Sequence, residues 1–482
     1  MSTRRALLFS FLDRYSGLAI SVVSSMVIAR LLRPDELGIF SVALALLMLA
    51  STVRDMGAGQ YLVQAPSLTD GRIRAVWTIQ FGVGALLAVI VAALAVPAAA
   101  FYKQPQIQAI LLVMAVNYLV NPVGSITYAM LMREMAFGKV AMMRLASAAI
   151  NAAVSIGLAL TDHGPISLAW GNLAGTCANA LAAQFFRPKN MPWGFNLGGV
   201  PGVLGFSGRL TVTSLVNTTL GATPDFALGK LQGMHAAGLY SRANGLVAMF
   251  SRLVTDAVYN VALSLFAQQR RDGVTVAHGF MRALSYVCVL NWAFSINLLL
   301  LAHPITRLLY GNGWDESILL TRWLAVGGAL LAPVPICIAV STAMGRADVV
   351  LKCSFAAAMF SAVAALIGAF HSLIAIGQGL ALANALSSAI WLAVATRMAR
   401  CSWPKLIANL ARSLGVAAVA ALAPATIVLN FGLEPMHAWQ ALAYGVPLGA
   451  LALLLGLLLF SHPLADELRP LTDKLSRKQS PR

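Results

Sequence analysis

The sequence predicts an all-α, polytopic membrane protein of about 14 transmembrane helices, in two pseudo-symmetric six-helix lobes followed by two further helices. Three observations predict it. Of the 482 residues, 59% are hydrophobic and only 11% charged, with mean hydropathy +0.78. A soluble domain carries about 25% charged residues, and a disordered chain is still more polar. Apolar runs long enough to span a bilayer recur along the whole chain, and one turn motif recurs in a second copy.

Taken in order, the expected spans are 6–31, 36–58, 75–100, 106–131, 140–160, 164–186, 202–230, 234–265, 278–302, 317–345, 350–370, 373–396, 406–431 and 438–461. The first opens with MSTRR like a signal peptide, but Asp13 and Arg14 interrupt its apolar run and no small-residue cleavage site follows. It is therefore expected to be retained as a helix. The connections are short, so no loop is expected to fold as a separate domain. Pro122, Pro224 and Pro333 fall inside spans and are expected to kink them.

Lys and Arg set the orientation. With the N-terminus in the cytoplasm, cytoplasmic segments and the tail carry about 20 of them against about four on the far side (Arg33, Lys103, Lys230 and Arg307). The bias holds at each loop, which also supports an even number of spans. Both termini are expected in the cytoplasm.

The repeat is legible by eye. Arg30-Leu31-Leu32 leading to Gly38-Ile39-Phe40-Ser41 matches Lys230-Leu231-Gln232 leading to Gly238-Leu239-Tyr240-Ser241. Phe9-Ser10 and Arg14 recur as Phe206-Ser207 and Arg209, and Arg54-Asp55 recurs loosely as Arg252 and Asp256. The even number of spans between copies gives both the same orientation, as in parallel transporter repeats. The expected organisation is a lobe over 1–190, a second over 201–400, two appended helices over 404–462 and a basic cytoplasmic tail over 463–482.

A net charge of +17 fits nucleic acid, an anionic lipid surface or an anionic substrate. Nucleic acid is excluded because no stretch is long and polar enough to form a basic soluble domain. The five cysteines are scattered and form neither a C-x-x-C pair nor a Cys/His cluster, so no metal site and no disulfide framework are expected. No Walker A, H-E-x-x-H or G-x-S-x-G sequence occurs, and the sequence calls for no cofactor. His163, His303, His371 and His437 fall in or near far-side turns and read as solvated.

The arginines carry the functional argument. Arg30, Arg144, Arg282, Arg322 and Arg412 lie near helix ends, where snorkelling accounts for them. Arg14, Arg54, Arg209, Arg242 and Arg252 are harder to dismiss. Arg14 lies about 12 Å inside its helix at 1.5 Å per residue. An arginine at mid-bilayer costs on the order of 2.5–3.5 kcal/mol, so these groups must meet partners or water. One reading pairs them with Asp13, Asp55, Asp225 and Asp256 as ion pairs that fix helix packing. The other makes them the cationic wall of a hydrated cavity, suited to a diphosphate because guanidinium binds phosphate bidentately. Asp13 and Asp225 are weak candidates for a coupling cation or proton.

The seventh span is unusually polar, with Ser207, Thr211, Thr213, Ser214, Asn217, Thr218, Thr219 and Thr223. As a cluster it reads as a cavity wall able to bond sugar hydroxyls, although each residue alone is explained by i−4 carbonyl bonding. Asn117, Tyr118 and Asn121, with Trp77 and Gln80, are weaker sugar-contact candidates.

The segment Ile28-Ala29-Arg30-Leu31-Leu32-Arg33-Pro34-Asp35-Glu36-Leu37-Gly38-Ile39-Phe40 resembles the first-to-second helix turn of Wzx-type polysaccharide flippases. Ala237-Gly238-Leu239-Tyr240-Ser241-Arg242-Ala243 resembles the corresponding turn of their second lobe. The resemblance extends over essentially the whole chain. It implies a two-lobed transporter of the multidrug/oligosaccharidyl-lipid/polysaccharide exporter superfamily in the bacterial inner membrane. It further implies an undecaprenyl-diphosphate-linked oligosaccharide cargo for exopolysaccharide, O-antigen (lipopolysaccharide) or capsule synthesis. Polymerase and chain-length proteins of the same pathway would be its partners. Two alternatives compete: a cation-coupled multidrug antiporter of the same superfamily, disfavoured by the arginine excess, and a membrane polysaccharide polymerase or glycosyltransferase. For the latter, Asp315-Glu316 is the only carboxylate pair in a candidate catalytic position, and the far-side loops are short.

Overall fold

Backbone inside a bilayer must satisfy its own N–H and C=O groups, and an apolar run of 20 residues does so as a helix. The computed structural model describes the backbone of residues 3–54, 58–64, 68–188, 191–198, 200, 214–250, 255–434 and 436–467, and the side chains of these except 3–15, 58, 60, 64, 250, 256 and 257. Among the described residues all regular structure is helical, and ten helices are long and apolar enough to cross a membrane. The chain divides into two units, Met1–Gly238 and Leu239–Arg482.

In the first unit the helices are α1 (Thr3–Leu31), α2 (Pro34–Arg54), the short α3 (Ala58–Gln64), α4 (Asp70–Tyr102), α5 (Pro105–Arg133), α6 (Phe137–Leu160), α7 (Ile166–Phe186) and α8 (Thr223–Leu231). Local chemistry sets their ends. Pro34 opens α2 with Asp35 and Glu36 in its first turn, and Glu36 Oε2 accepts the Arg33 N–H at 2.8 Å, one arm of a capping box. Thr69 caps α4, and Lys103, at φ 55, reverses the chain into Pro105. The seventh expected span is broken: residues 214–221 are helical, and α8 starts afresh after Ala222, with Pro224 in its first turn. Pro122 behaves differently, since α5 continues through it. Helices α6 and α7 approach closely because a Cβ on Gly175 would lie 2.9 Å from the Ser147 carbonyl oxygen.

The second unit takes in most of α9 (Met234–Phe250), then α10 (Asp256–Arg271), α11 (Ala277–Leu300), α12 (Ala302–Tyr310), α13 (Glu316–Leu331), α14 (Val334–Ala343), α15 (Ala347–His371), α16 (Leu373–Met398), α17 (Trp403–Phe431) and α18 (Ala438–Leu459). The expected span 234–265 takes in α9 and the start of α10, with 251–254 outside the described residues, and 317–345 is interrupted at Ala332-Pro333, where a kink is expected. Phe266, Phe280, Leu284, Cys288, Ile336, Cys337 and Trp391 form the core of this unit. The appended helices α17 and α18 pack on each other, and α17 lies along α11 through Ala293, Ala417 and Ala420. A buried knot completes that attachment. His462 Nε2 lies 2.6 Å from Ser285 Oγ and 3.1 Å from Ser413 Oγ, and all three residues are fully enclosed.

Candidate functional site

In the first unit, polar residues gather at the C-terminal end of α2. Tyr118 is buried and donates its hydroxyl to the Leu47 carbonyl at 2.9 Å, with Ser51 Oγ 3.3 Å away. The Arg54 guanidinium, on the last residue of α2, stands 5.8 Å from the centre of the Tyr118 ring, within cation–π range. One turn back, Thr52 Oγ1 meets Thr218 Oγ1 at 3.1 Å. Arg54, Tyr118 and the polar seventh segment, three separate expectations, are therefore neighbours. Asn217 and Asn121 are half-buried.

Other candidates belong to packing. Trp77 is enclosed, with its ring stacked on Phe81 at 5.5 Å and on Trp193 at 4.4 Å, inside a core that includes Ile73, Val76 and Ile126. Gln80 accepts from Ser125 Oγ at 2.5 Å in the α4–α5 contact. Asn117 is buried, and its Nδ2 donates to Met114 Sδ at 3.3 Å. Trp77, Gln80 and Asn117 thus sit between helices, since residue type does not say which face of a helix a side chain takes. Asp225 lies in the first turn of α8, where the helix dipole favours an acid, and its carboxylate is within electrostatic reach of Tyr102.

In the second unit, the Arg242 guanidinium lies 6.0 Å from the centre of the Tyr310 ring, which in turn contacts Trp314 at 5.8 Å. Arg307 joins Asn312 Oδ1 and Asp315 Oδ2, both at 2.6 Å. The Asp315-Glu316 pair thus has its first member held by an arginine. Arg282, expected to snorkel, instead donates to Tyr286 at 2.7 Å and to Glu467 at 2.6 Å. His303, expected in solvent, is 7% exposed, and burial lowers its pKa. The side chains of Asp13, Arg14, Asp55, Arg209, Thr213, Arg252 and Asp256 lie outside the described residues.

The repeat makes a contact that its sequence does not reveal. Gly38 of α2 abuts the Met234 carbonyl, and Gly238 of α9 abuts the Pro34 carbonyl. Between the same two turns, Asp35 Oδ2 meets His235 Nδ1 at 3.4 Å. Paired positions of the two copies touch one another.

Ten helices apolar enough to cross a bilayer among the described residues, with all their regular structure helical, define a polytopic membrane protein of the transporter type. Solved structures share the fold. A lipid II flippase, MurJ, in an inward closed conformation matches with TM-score 0.76 at 14% identity over 97% of this chain and 100% of that one. An inward-facing multidrug resistance MATE family transporter of the MOP superfamily matches with TM-score 0.64 at 11% identity, over 82% of this chain and 98% of that one. The family described as "Polysaccharide biosynthesis protein" matches residues 27–319, more than half of the sequence, and the chain belongs to that family. Among individual relatives, the succinoglycan biosynthesis transport protein ExoT of Rhizobium meliloti (strain 1021) is 24% identical over 482 residues, 98% of this chain and 95% of that protein.

Proposed function

We propose that the protein is a lipid-linked oligosaccharide flippase, a transporter and not an enzyme. It moves undecaprenyl-diphosphate-linked repeat units from the cytoplasmic to the periplasmic leaflet of a bacterial inner membrane, with both termini cytoplasmic. One observation carries the reading: the near full-length match to a polysaccharide transport protein, on a fold shared over its whole length with a lipid II flippase. The lobes are 1–190 and 201–400, the pair 404–462 is an addition, and 463–482 is a basic tail facing anionic lipid.

Within this reading Arg14, Arg54, Arg209, Arg242 and Arg252 attract and hold the diphosphate. Thr213, Asn217, Asn121 and Asn117 serve the sugar moiety, with Asn117 acting through its position in the α5 packing. Asp13, Asp225 and Asp256 balance the arginines or carry a coupling ion. Two features support the assignment. The Arg54 guanidinium stands 5.8 Å from the centre of the Tyr118 ring, and the Arg242 guanidinium is likewise placed 6.0 Å from that of Tyr310. The cation-coupled drug antiporter shares the fold less fully and would favour acids over this excess of arginine.

Deletion of the gene tests the proposal. Lipid-linked repeat units accumulating on the cytoplasmic leaflet, with loss of surface polysaccharide, are the expected result. Normal export, or loss of drug resistance alone, rejects it. Neighbouring genes for glycosyltransferases, a polymerase and a chain-length protein would place the step in its pathway.

A further inference from the structure

A groove of about 950 Å³ runs along the first unit between α2 and α4 and is also lined by Leu111, Leu215 and Phe226. Its wall is aliphatic and aromatic: Leu46 and Ala50 from α2 face Leu86, Ile90, Leu94 and Phe101 from α4. Several of these are left uncovered by protein, Leu86 at 59% and Leu94 at 54% exposure. The groove is long. Its lining on α4 extends from Val83 to Tyr102, about 28 Å at 1.5 Å per residue and close to the roughly 30 Å of a bilayer's hydrocarbon core, while α2 walls about 11 Å of it from Leu46 to Val53.

Length selects the occupant. An acyl chain of a phospholipid stays in its own leaflet and covers about half of that depth. A groove that is apolar over nearly the whole depth suits a single flexible chain that passes both leaflets. Its ends are cationic. Val53 lines one end, and Arg54 follows it on α2. At the other end Lys230 Nζ stands 3.9 Å from the centre of the Phe101 ring and donates to the Phe101 carbonyl at 2.5 Å. An anionic headgroup with a long apolar tail matches that pattern of charge.

We propose that this groove seats the polyisoprenyl tail of the cargo lipid, with the phosphate end toward Arg54. The inference rests on the flippase reading above. It gives the tail a binding site in the first unit, separate from the smaller apolar groove between α11 and α18 in the second.

The test uses the full chain in nanodiscs and undecaprenyl phosphate carrying a diazirine in its tail. Irradiation followed by peptide mapping is expected to label α2 and α4, with a farnesyl phosphate probe labelling them at least roughly tenfold less, a difference of about 1.4 kcal/mol. Ala50→Trp and, separately, Ile90→Trp fill the groove and are expected to reduce the label by a similar factor at unchanged thermal stability. Labelling confined to α11, α17 and α18, equal labelling of α2 and α4 by a diazirine phospholipid, or no labelling overturns the proposal. The flippase reading is scored separately by export in the deletion strain. Export lost in the deletion but normal in both tryptophan variants sinks the groove alone. Groove labelling in a protein whose deletion leaves export intact sinks the flippase alone.

Discussion

Gly38 and Gly238 face each other at the meeting of the two repeat turns. A Cβ on the first would lie 2.9 Å from the second's nitrogen, and one on the second 3.0 Å from the first's nitrogen. Backbones can approach this closely only where both side chains are absent. The contact lies within the first unit and is expected to be required for export. Gly38→Ala drives a Cβ into the Met234 carbonyl and Gly238→Ala one into the Pro34 carbonyl, backbone groups that cannot swing aside, so each costs at least about 1–3 kcal/mol. The expected outcome is normal insertion and reduced export, read as polysaccharide output in a complemented deletion strain. Wild-type output from both variants would show that the close approach is dispensable.

The arginines make a sharper test. Alanine at Arg14, Arg54, Arg209 or Arg252 is expected to abolish export while leaving the amount of protein in the membrane unchanged. Lysine at Arg54 is expected to restore only part of it, because an ammonium keeps the charge but loses the planar face that lies on Tyr118. Full export from all four alanine variants would defeat the cationic reading.

Asp315 separates a transporter from a polymerase. Its carboxylate bonds Arg307, and the two side chains are 42% and 34% exposed, so the bridge contributes at most about 1 kcal/mol. Asp315→Asn is therefore expected to leave polymer yield intact and stability slightly lowered. A catalytic acid at this position would instead take the yield to zero.

His462 gives the protein a predictable response to acid. The Leu464 N–H donates to its Nδ1 at 3.2 Å, which places the imidazole proton on Nε2, beside Ser285 and Ser413. Enclosure, aided by the nearby Arg412 charge, lowers its pKa from 6.5 to about 4. Between those values the unfolded chain binds the proton and the folded chain does not, so stability falls as the pH drops through that window. The loss is at most about 3 kcal/mol. Thermal unfolding in detergent from pH 7 to pH 4 measures it, and His462→Gln is expected to flatten the profile. An identical slope in the variant would show that other groups set the response.

Much of the fold is legible in the sequence because each expected span is a chemical object: 20 or so apolar residues have few other ways to bury their backbone. Breaks inside spans are less visible. Pro224 and Pro333 mark two of them, and the spans that hydropathy draws, 202–230 and 317–345, run through both. Pro122 shows the converse, a helix breaker carried by the surrounding helices.

The site is legible in part, and for a physical reason. Arginine inside an apolar run announces itself through its solvation cost, and that cue singles out Arg54 and Arg242, which lie beside Tyr118 and Tyr310. No comparable cost tells a wall tryptophan from a packed one, so Trp77 was indistinguishable from a sugar platform until its stacking on Phe81 and Trp193 was seen. His303 is similar: its place after α11 suggests a solvated turn, but it lies in the first turn of α12, a helix packed on α18, and is buried. The repeat is readable as two matching strings, yet nothing in either string says that they touch.

That touching has an evolutionary corollary. Residues 34, 35 and 38 meet 234, 235 and 238, like meeting like. A half-length ancestor bearing one such turn would form the same contact with a second copy of itself across a true two-fold axis. In such a homodimer the residue at this position must oppose its own copy, whether acid or imidazole, and a complementary pair is out of reach. Fusion into one polypeptide lifts that restriction: position 35 keeps its acid while its counterpart becomes an imidazole, so that a once self-complementary joint acquires polarity.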